Sequence, residues 1–189
     1  MREHLSSDGS RKVVVLHGLG GIGKTQLAIR YATRHREDHS ALFWLNAKDE
    51  TSTKSSFVQM ARHIRREHPT ASPIAGLDLE QNLDEVVDAV KTWLSTPMNT
   101  RWLMICDNYD NPKLPGITDS AALELRRYLP EAHQGSVIVT TRSLEVQLGH
   151  CMRIQKLQDL SDGLMILEHS SRRRKLVDGK HRPLPCEYN

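Results

Sequence analysis

A chain of 189 residues suits one domain and is long enough to bury a substantial core. Hydrophobic residues make up 38% and charged residues 26%, too apolar for a disordered chain, and no apolar run approaches the roughly 18 residues of a membrane span. The net charge of +3 is unevenly placed: after Ser171, Arg172, Arg173, Arg174, Lys175, Lys180 and Arg182 face only Asp178 and Glu187, so residues 1–170 are net −1, and nucleic acid is not the expected partner.

The opening "MREHLSSDGSRK" lacks the apolar core of a secretory signal and is expected to be a flexible segment over residues 1–11. Three cysteines, an odd number without metal-like spacing, point to a reducing, cytoplasmic setting. Cys106 lies in an apolar run and is expected to pack as a small hydrophobe, and none of the three reads as a nucleophile.

Along the chain, "KVVVLHG" from Lys12 reads as a first strand. A helix opens at Lys24 with Leu27, Ala28, Tyr31 and Ala32 on one face. "ALFWLN" from Ala41 is a second strand, followed by a helix carrying Phe57, Met60, Ala61 and Ile64. After the loop "HPTASPIAGLD" comes the clearest helical stripe, Leu83, Val86, Val87, Val90, Trp93 and Leu94. "RWLMICD" from Arg101 and "SVIVTT" from Ser136 are further buried strands, separated by the Pro- and Gly-rich "NYDNPKLPGITD"; "CMRIQ" from Cys151 is a weaker fifth. Leu160, Leu164 and Leu167 suggest a last helix capped by Ser161. Beyond His169 the periodicity stops, and residues 171–189 are expected to form a basic, disordered tail. Strands alternating with helices indicate an α/β fold with a mostly parallel sheet.

The chemistry concentrates at three strand ends. Gly18 to Thr25, "GLGGIGKT", fits G-x-x-x-x-G-K-[ST] between a β-branched strand and an amphipathic helix. Glycines let backbone N–H groups wrap an anion, and the helix adds its positive end. Lys24 is placed for β- and γ-phosphates, and the Thr25 hydroxyl for Mg²⁺. The plainer alternative is a glycine turn with an incidental lysine. Asp107, at the end of "WLMICD", supplies the acidic group that such a loop needs for its metal; the alternative is a strand-capping aspartate. The next residue is Asn108, which takes no proton, and the nearest further carboxylate is Asp110, so binding is better supported than hydrolysis. At the end of "GSVIVTTR", Arg142 stands where a cation distinguishes ATP from ADP by touching a γ-phosphate, unless it is an ion-paired loop arginine.

The succession "GLGGIGKTQLA", "ALFWLNA", "RWLMICDNYDNP", "GSVIVTTRS" and "IQKLQDLSDGLMIL" resembles the nucleotide-binding core of the NB-ARC family, in the STAND class of P-loop NTPases, particularly its fungal receptor-like members. The resemblance spans about residues 12–168 and makes 12–170 the nucleotide-binding domain. It implies a three-layer α/β sandwich with a five-stranded sheet of order 5-1-4-3-2. It also implies a signalling switch of innate-immunity type, closed with ADP and self-associating with ATP, with at most slow hydrolysis as a reset. By the same resemblance Gly18, Leu19, Gly20, Gly21, Ile22, Gly23, Lys24, Thr25 and Gln26 hold phosphate. Thr25 and Asp107 hold Mg²⁺, Lys24 and Asp107 serve any hydrolysis, and Arg142 is the sensor.

The family continues into a helical subdomain with a Gly-x-Pro motif and a winged-helix subdomain; "RPLP" near residue 185 does not match that motif. The expectation is therefore the nucleotide-binding lobe by itself, with reduced adenine contacts. Two alternatives stand beside the switch. One is a P-loop small-molecule kinase or other ATPase, against which "NYDNPKLPGITD" offers no lid arginine. The other is a fragment that has lost its output.

Overall fold

The computed structural model describes residues 1–5, 10–70, 73–113, 119, 121–132 and 134–155. Five strands, β1 (Lys12–His17), β2 (Ala41–Asn46), β3 (Trp102–Asp107), β4 (Ser136–Thr141) and β5 (His150–Arg153), form one sheet. Every pairing is parallel, and the order β2-β3-β4-β1-β5, read from the other edge, is the expected 5-1-4-3-2. The helices are α1 (Arg2–Leu5), α2 (Lys24–Arg34), α3 (Glu50–Glu67) and α4 (Leu83–Leu94). The expected helix after Ser161 and the basic tail lie outside the described residues.

Two cores follow from the two-residue period of the strands, which sends alternate side chains to opposite faces. Val15, Phe43, Leu45, Met104, Cys106, Val137 and Val139 pack against α3 and α4, while Val14, Leu16, Leu103, Ile105 and Ile138 pack against α1 and α2. The result is a helix–sheet–helix sandwich. All six residues of β3 and of β4 are buried, as expected of central parallel strands covered on both faces.

The covering helices are amphipathic with well-made starts. Asp49 caps α3 by accepting from Ser52 N (2.7 Å), and Asn82 caps α4 by accepting from Glu85 N (3.3 Å). Phe57, Ala61 and Ile64 carry the α3 face into the core, and Val86, Val90 and Leu94 that of α4. Where α4 turns back to the sheet, Trp102 Nε1 donates to Leu94 O (3.0 Å) and satisfies a helix-end carbonyl. The indole leaves no room beside β4: a Cβ on Gly135, at φ +76°, would sit 2.3 Å from the ring. Only glycine satisfies both the left-handed backbone and this approach.

Two regions differ from the sequence expectation. Residues 1–11 read as a flexible segment, yet residues 2–5 form α1. Leu5 is 2% exposed in the α2-side core, its carbonyl accepts from Ser136 Oγ (3.3 Å), and the His4 ring stacks on His150 at 3.6 Å. One apolar residue in a polar stretch carries no periodicity, so this anchoring was invisible in the sequence. Between β3 and β4, a 3₁₀ turn over Leu125–Tyr128 buries Leu123, Leu125, Tyr128 and Leu129. It is too short to show a helical repeat.

Candidate nucleotide-binding site

Because the strands are parallel, β1, β3 and β4 deliver their C-terminal ends to one rim of the sheet, where α/β folds place ligands. The loop from Gly18 to Gly23 leaves β1 there. Gly21 and Gly23 take φ values of +73° and +97°, a region that side-chain-bearing residues rarely adopt. Gly23 is the N-cap of α2 and has no side chain to cap it; the first turn of α2 holds no acidic residue. The amide end of an 11-residue helix thus faces the rim without a negative group of its own, an arrangement suited to anions.

Lys24 is 9% exposed and its Nζ donates to Gly18 O and Leu19 O, both at 2.9 Å. The ammonium is folded back over the loop, so its charge sits where the loop turns.

The opposite wall is made of side chains. Asp107 ends β3 and is 6% exposed. Its Oδ1 accepts from Thr25 Oγ1 (2.8 Å), the first turn of α2, and from Thr140 Oγ1 (2.5 Å) near the end of β4. Thr140 Oγ1 in turn accepts from Asn108 N (3.1 Å). This chain ties α2, β3 and β4 together and leaves Asp107 Oδ2 without a hydrogen bond among the described residues. Asn108 itself adopts φ +64°, a left-handed conformation that asparagine tolerates better than most residues. It turns the chain sharply off β3. Asp110 follows, and both of its oxygens are engaged by Arg142: Oδ1 by the backbone N (2.7 Å), Oδ2 by Nε (2.6 Å).

Between the walls is a cleft of about 430 Å³, lined by the loop from Gly20 to Gln26 and by Asn108, Asp110, Thr140 and Arg142. Of the expected site residues, Gly20, Gly21, Ile22, Gly23, Lys24, Thr25, Gln26 and Arg142 line it directly. Gly18 and Leu19 contribute through their carbonyls to Lys24, and Asp107 through Thr25 and Thr140. Arg142 is brought to the cleft and is also ion-paired, so the two readings of it meet in one residue. Thr140 was legible only as a strand-end residue, and Asp110 only as a nearby carboxylate; their partners lie on other strands.

Among the described residues no cluster of three or more His, Cys, Asp or Glu forms a metal cage. A Mg²⁺ held by phosphates needs none, since the ion commonly takes one carboxylate or hydroxyl from the protein and completes its shell with phosphate and water. The Thr25 hydroxyl beside Asp107, both oxygen donors, fits that demand. Cys106, behind Asp107 on β3, has its thiol pushed up to about 12 by burial first and by the aspartate charge second, which rules it out as a nucleophile near neutral pH.

A family model described as "NB-ARC domain" matches residues 1–162. The chain belongs to the NB-ARC family. NB-ARC domains are nucleotide-binding. Among curated proteins, a nucleotide-binding leucine-rich repeat (NLR)-like protein of Hyaloscypha variabilis is 28% identical over 169 residues, covering 83% of this chain and 16% of that protein. A putative disease resistance RPP13-like protein 2 of Arabidopsis thaliana is 26% identical over 148 residues, 75% of this chain and 15% of its own length. A shorter stretch, 91 residues at 29% identity, matches 8% of the serine/threonine-protein kinase PknK of Mycobacterium tuberculosis. The chain therefore spans about a sixth of the length of the NLR-like and RPP13-like relatives. Among the described residues no helix is long and apolar enough to cross a membrane.

Proposed function

We propose that the cleft binds ADP and ATP with Mg²⁺, and that this NB-ARC domain is the nucleotide-dependent switch module of a cytoplasmic NLR-like signalling protein. The observation that carries the reading is the hydrogen bond from Thr25 to Asp107, because it puts a P-loop hydroxyl and a strand-end carboxylate side by side, the donor pair that a nucleotide-bound Mg²⁺ requires. The loop amides and the α2 terminus take the phosphates. Lys24 exchanges its loop carbonyls for phosphate oxygens, and Arg142 senses the γ-phosphate.

Slow turnover suits the same geometry. A general base must reach the attacking water; Asn108 accepts no proton, and both oxygens of Asp110 are committed to Arg142. A domain that holds its nucleotide and hydrolyses it slowly serves as a timer, and self-association of the ATP state in a longer chain is the proposed output. The kinase alternative has no specific observation in its favour.

The test is calorimetric titration of ADP and ATP, with Mg²⁺, into the native chain and a Lys24→Ala variant, with folding checked by circular dichroism. Loss of one ammonium with its charge-assisted bonds is expected to weaken binding by about 2–4 kcal/mol, roughly 30- to 1000-fold. Negligible and indistinguishable heats from two folded samples sink the proposal. Phosphate release and transfer to small acceptors, measured alongside, are expected to be slow and absent respectively.

A further inference from the structure

We propose that Asp110 positions Arg142 so that its terminal guanidinium nitrogens are presented to the γ-phosphate, making Asp110 a determinant of the preference between ATP and ADP. This rests on the sensor reading of Arg142 given above.

Arg142 is the first residue beyond β4 and its side chain is 64% exposed. A long exposed arginine samples many rotamers, and a ligand that recruits it must first order it. Here the ordering is built in. Asp110 grips the same residue twice, by its backbone N and by Nε, which fixes both the start of the side chain and the plane of the guanidinium. Asp110 is itself held: the chain leaving β3 is stitched to β4 by Tyr109 N donating to Thr140 O (2.9 Å), and Asp110 N donates to Asn108 O (2.8 Å). Its side chain is only 25% exposed.

The grip uses one of the five guanidinium N–H donors. No hydrogen bond engages either terminal nitrogen of Arg142 among the described residues, so four N–H groups stay available. The stem lies over the phosphate loop: a Cβ built on Gly20 would be 3.6 Å from Arg142 Cδ, and both Asp110 and Arg142 line the cleft. A carboxylate facing a polyphosphate would repel it if left bare. With Arg142 on both oxygens, Asp110 is neutralised and its effect is geometric. Its role in the cleft is thus different from that of a base, although it is the nearest carboxylate after Asp107.

The experiment is a double-mutant cycle on the full chain. ADP and a non-hydrolysable ATP analogue, each with Mg²⁺, are titrated into the native protein, Asp110→Ala, Arg142→Ala, the double variant and Asp110→Asn. Asp110→Ala is expected to weaken the ATP analogue about 5- to 10-fold, the scale of one charge-assisted contact, while ADP affinity stays within about twofold. The double variant should match Arg142→Ala alone. Asp110→Asn keeps the shape and one acceptor oxygen and should recover part of the loss; it also carries the test if the alanine variant folds poorly. A residue with only a structural role would move both nucleotides together. Unchanged or tighter binding of the ATP analogue to Asp110→Ala, with Arg142→Ala still losing it, overturns the proposal and makes Asp110 a competitor of the phosphate. If Arg142→Ala leaves the ATP-to-ADP ratio untouched, the sensor reading has failed and this proposal with it; if no nucleotide binds the native chain, the failure lies in the proposed function.

Discussion

The two walls of the cleft are built by different means. One is backbone: the loop from Gly18 to Gly23 presents amides and carbonyls, three of its glycines sit at positive φ, and α2 begins without a side-chain cap. The other is side chain: Asp107, Thr140 and Thr25 form one hydrogen-bonded cluster joined by the Asn108 amide, and Asp110 holds Arg142 beside it. A backbone wall depends on conformations written into consecutive residues. A side-chain wall depends on strands distant in sequence arriving in the right register. The first should therefore fail through conformational strain, and the second through loss of a partner.

Among variants that leave the charged groups of the cleft in place, the largest effect is expected from strain. Gly23→Ala forces a side chain to φ +97° although nothing lies within 4 Å of the added Cβ, so the cost is conformational, about 1–3 kcal/mol. Because it falls on the residue that starts α2, nucleotide affinity should drop about 30-fold. Gly20→Ala, outside the left-handed region and with only an ordinary 3.6 Å contact to Arg142, should change affinity less than about threefold. Calorimetry on the pair checks this; equal losses would break the idea that backbone conformation governs the first wall.

Loss of a partner comes next. Thr140→Val keeps the shape of a 2% exposed residue but removes the hydroxyl that bonds Asp107 and the Asn108 amide. It is expected to lower stability by about 1–2 kcal/mol in urea unfolding and to weaken binding about fivefold with Mg²⁺, with little change when the metal is chelated. A loss independent of Mg²⁺ would detach Thr140 from the metal-holding role of Asp107.

The smallest effect on nucleotide binding is expected behind the second wall, at Cys106, where the readout is a pH signature in stability. Burial raises the Cys106 thiol from 9.0 to about 12. A group raised in the folded state contributes stability that is complete below its unfolded value and is lost as pH climbs toward the folded one. Between pH 7.5 and 10.5 the native chain should lose about 2 kcal/mol more than Cys106→Ala, read by urea unfolding under reducing conditions. Parallel losses in the two proteins would show that the thiol is not desolvated.

Much of this architecture is legible from residue order. The runs VVVL, ALFWL, LMIC and VIVT declare themselves as strands by β-branched and apolar residues between glycine, aspartate and lysine. The spacing of Val86, Val90 and Leu94 marks α4, and the glycine spacing marks the phosphate loop. Leu5 was not legible, because a single apolar residue becomes core only once Val14, Leu16 and Ile138 are beneath it. Leu123, Leu125 and Tyr128 were missed because a 3₁₀ turn with flanking bends has no period to detect. At the site, Lys24, Thr25, Asp107 and Arg142 are legible as residues, but the partners that hold the last two are not, because Asp107 and Thr140 are 33 positions apart and Asp110 and Arg142 32.

The sequence by itself thus determined the α/β alternation, the phosphate loop and which residues end the buried strands, because strand propensity, helical period and glycine conformation are local properties of the chain. Only the tertiary structure decided that Thr140 would steady Asp107, that Asp110 would hold Arg142 and that residues 2–5 would be anchored. Those contacts exist because parallel pairing places β4 between β1 and β3, bringing three strand ends to one rim at hydrogen-bonding distance.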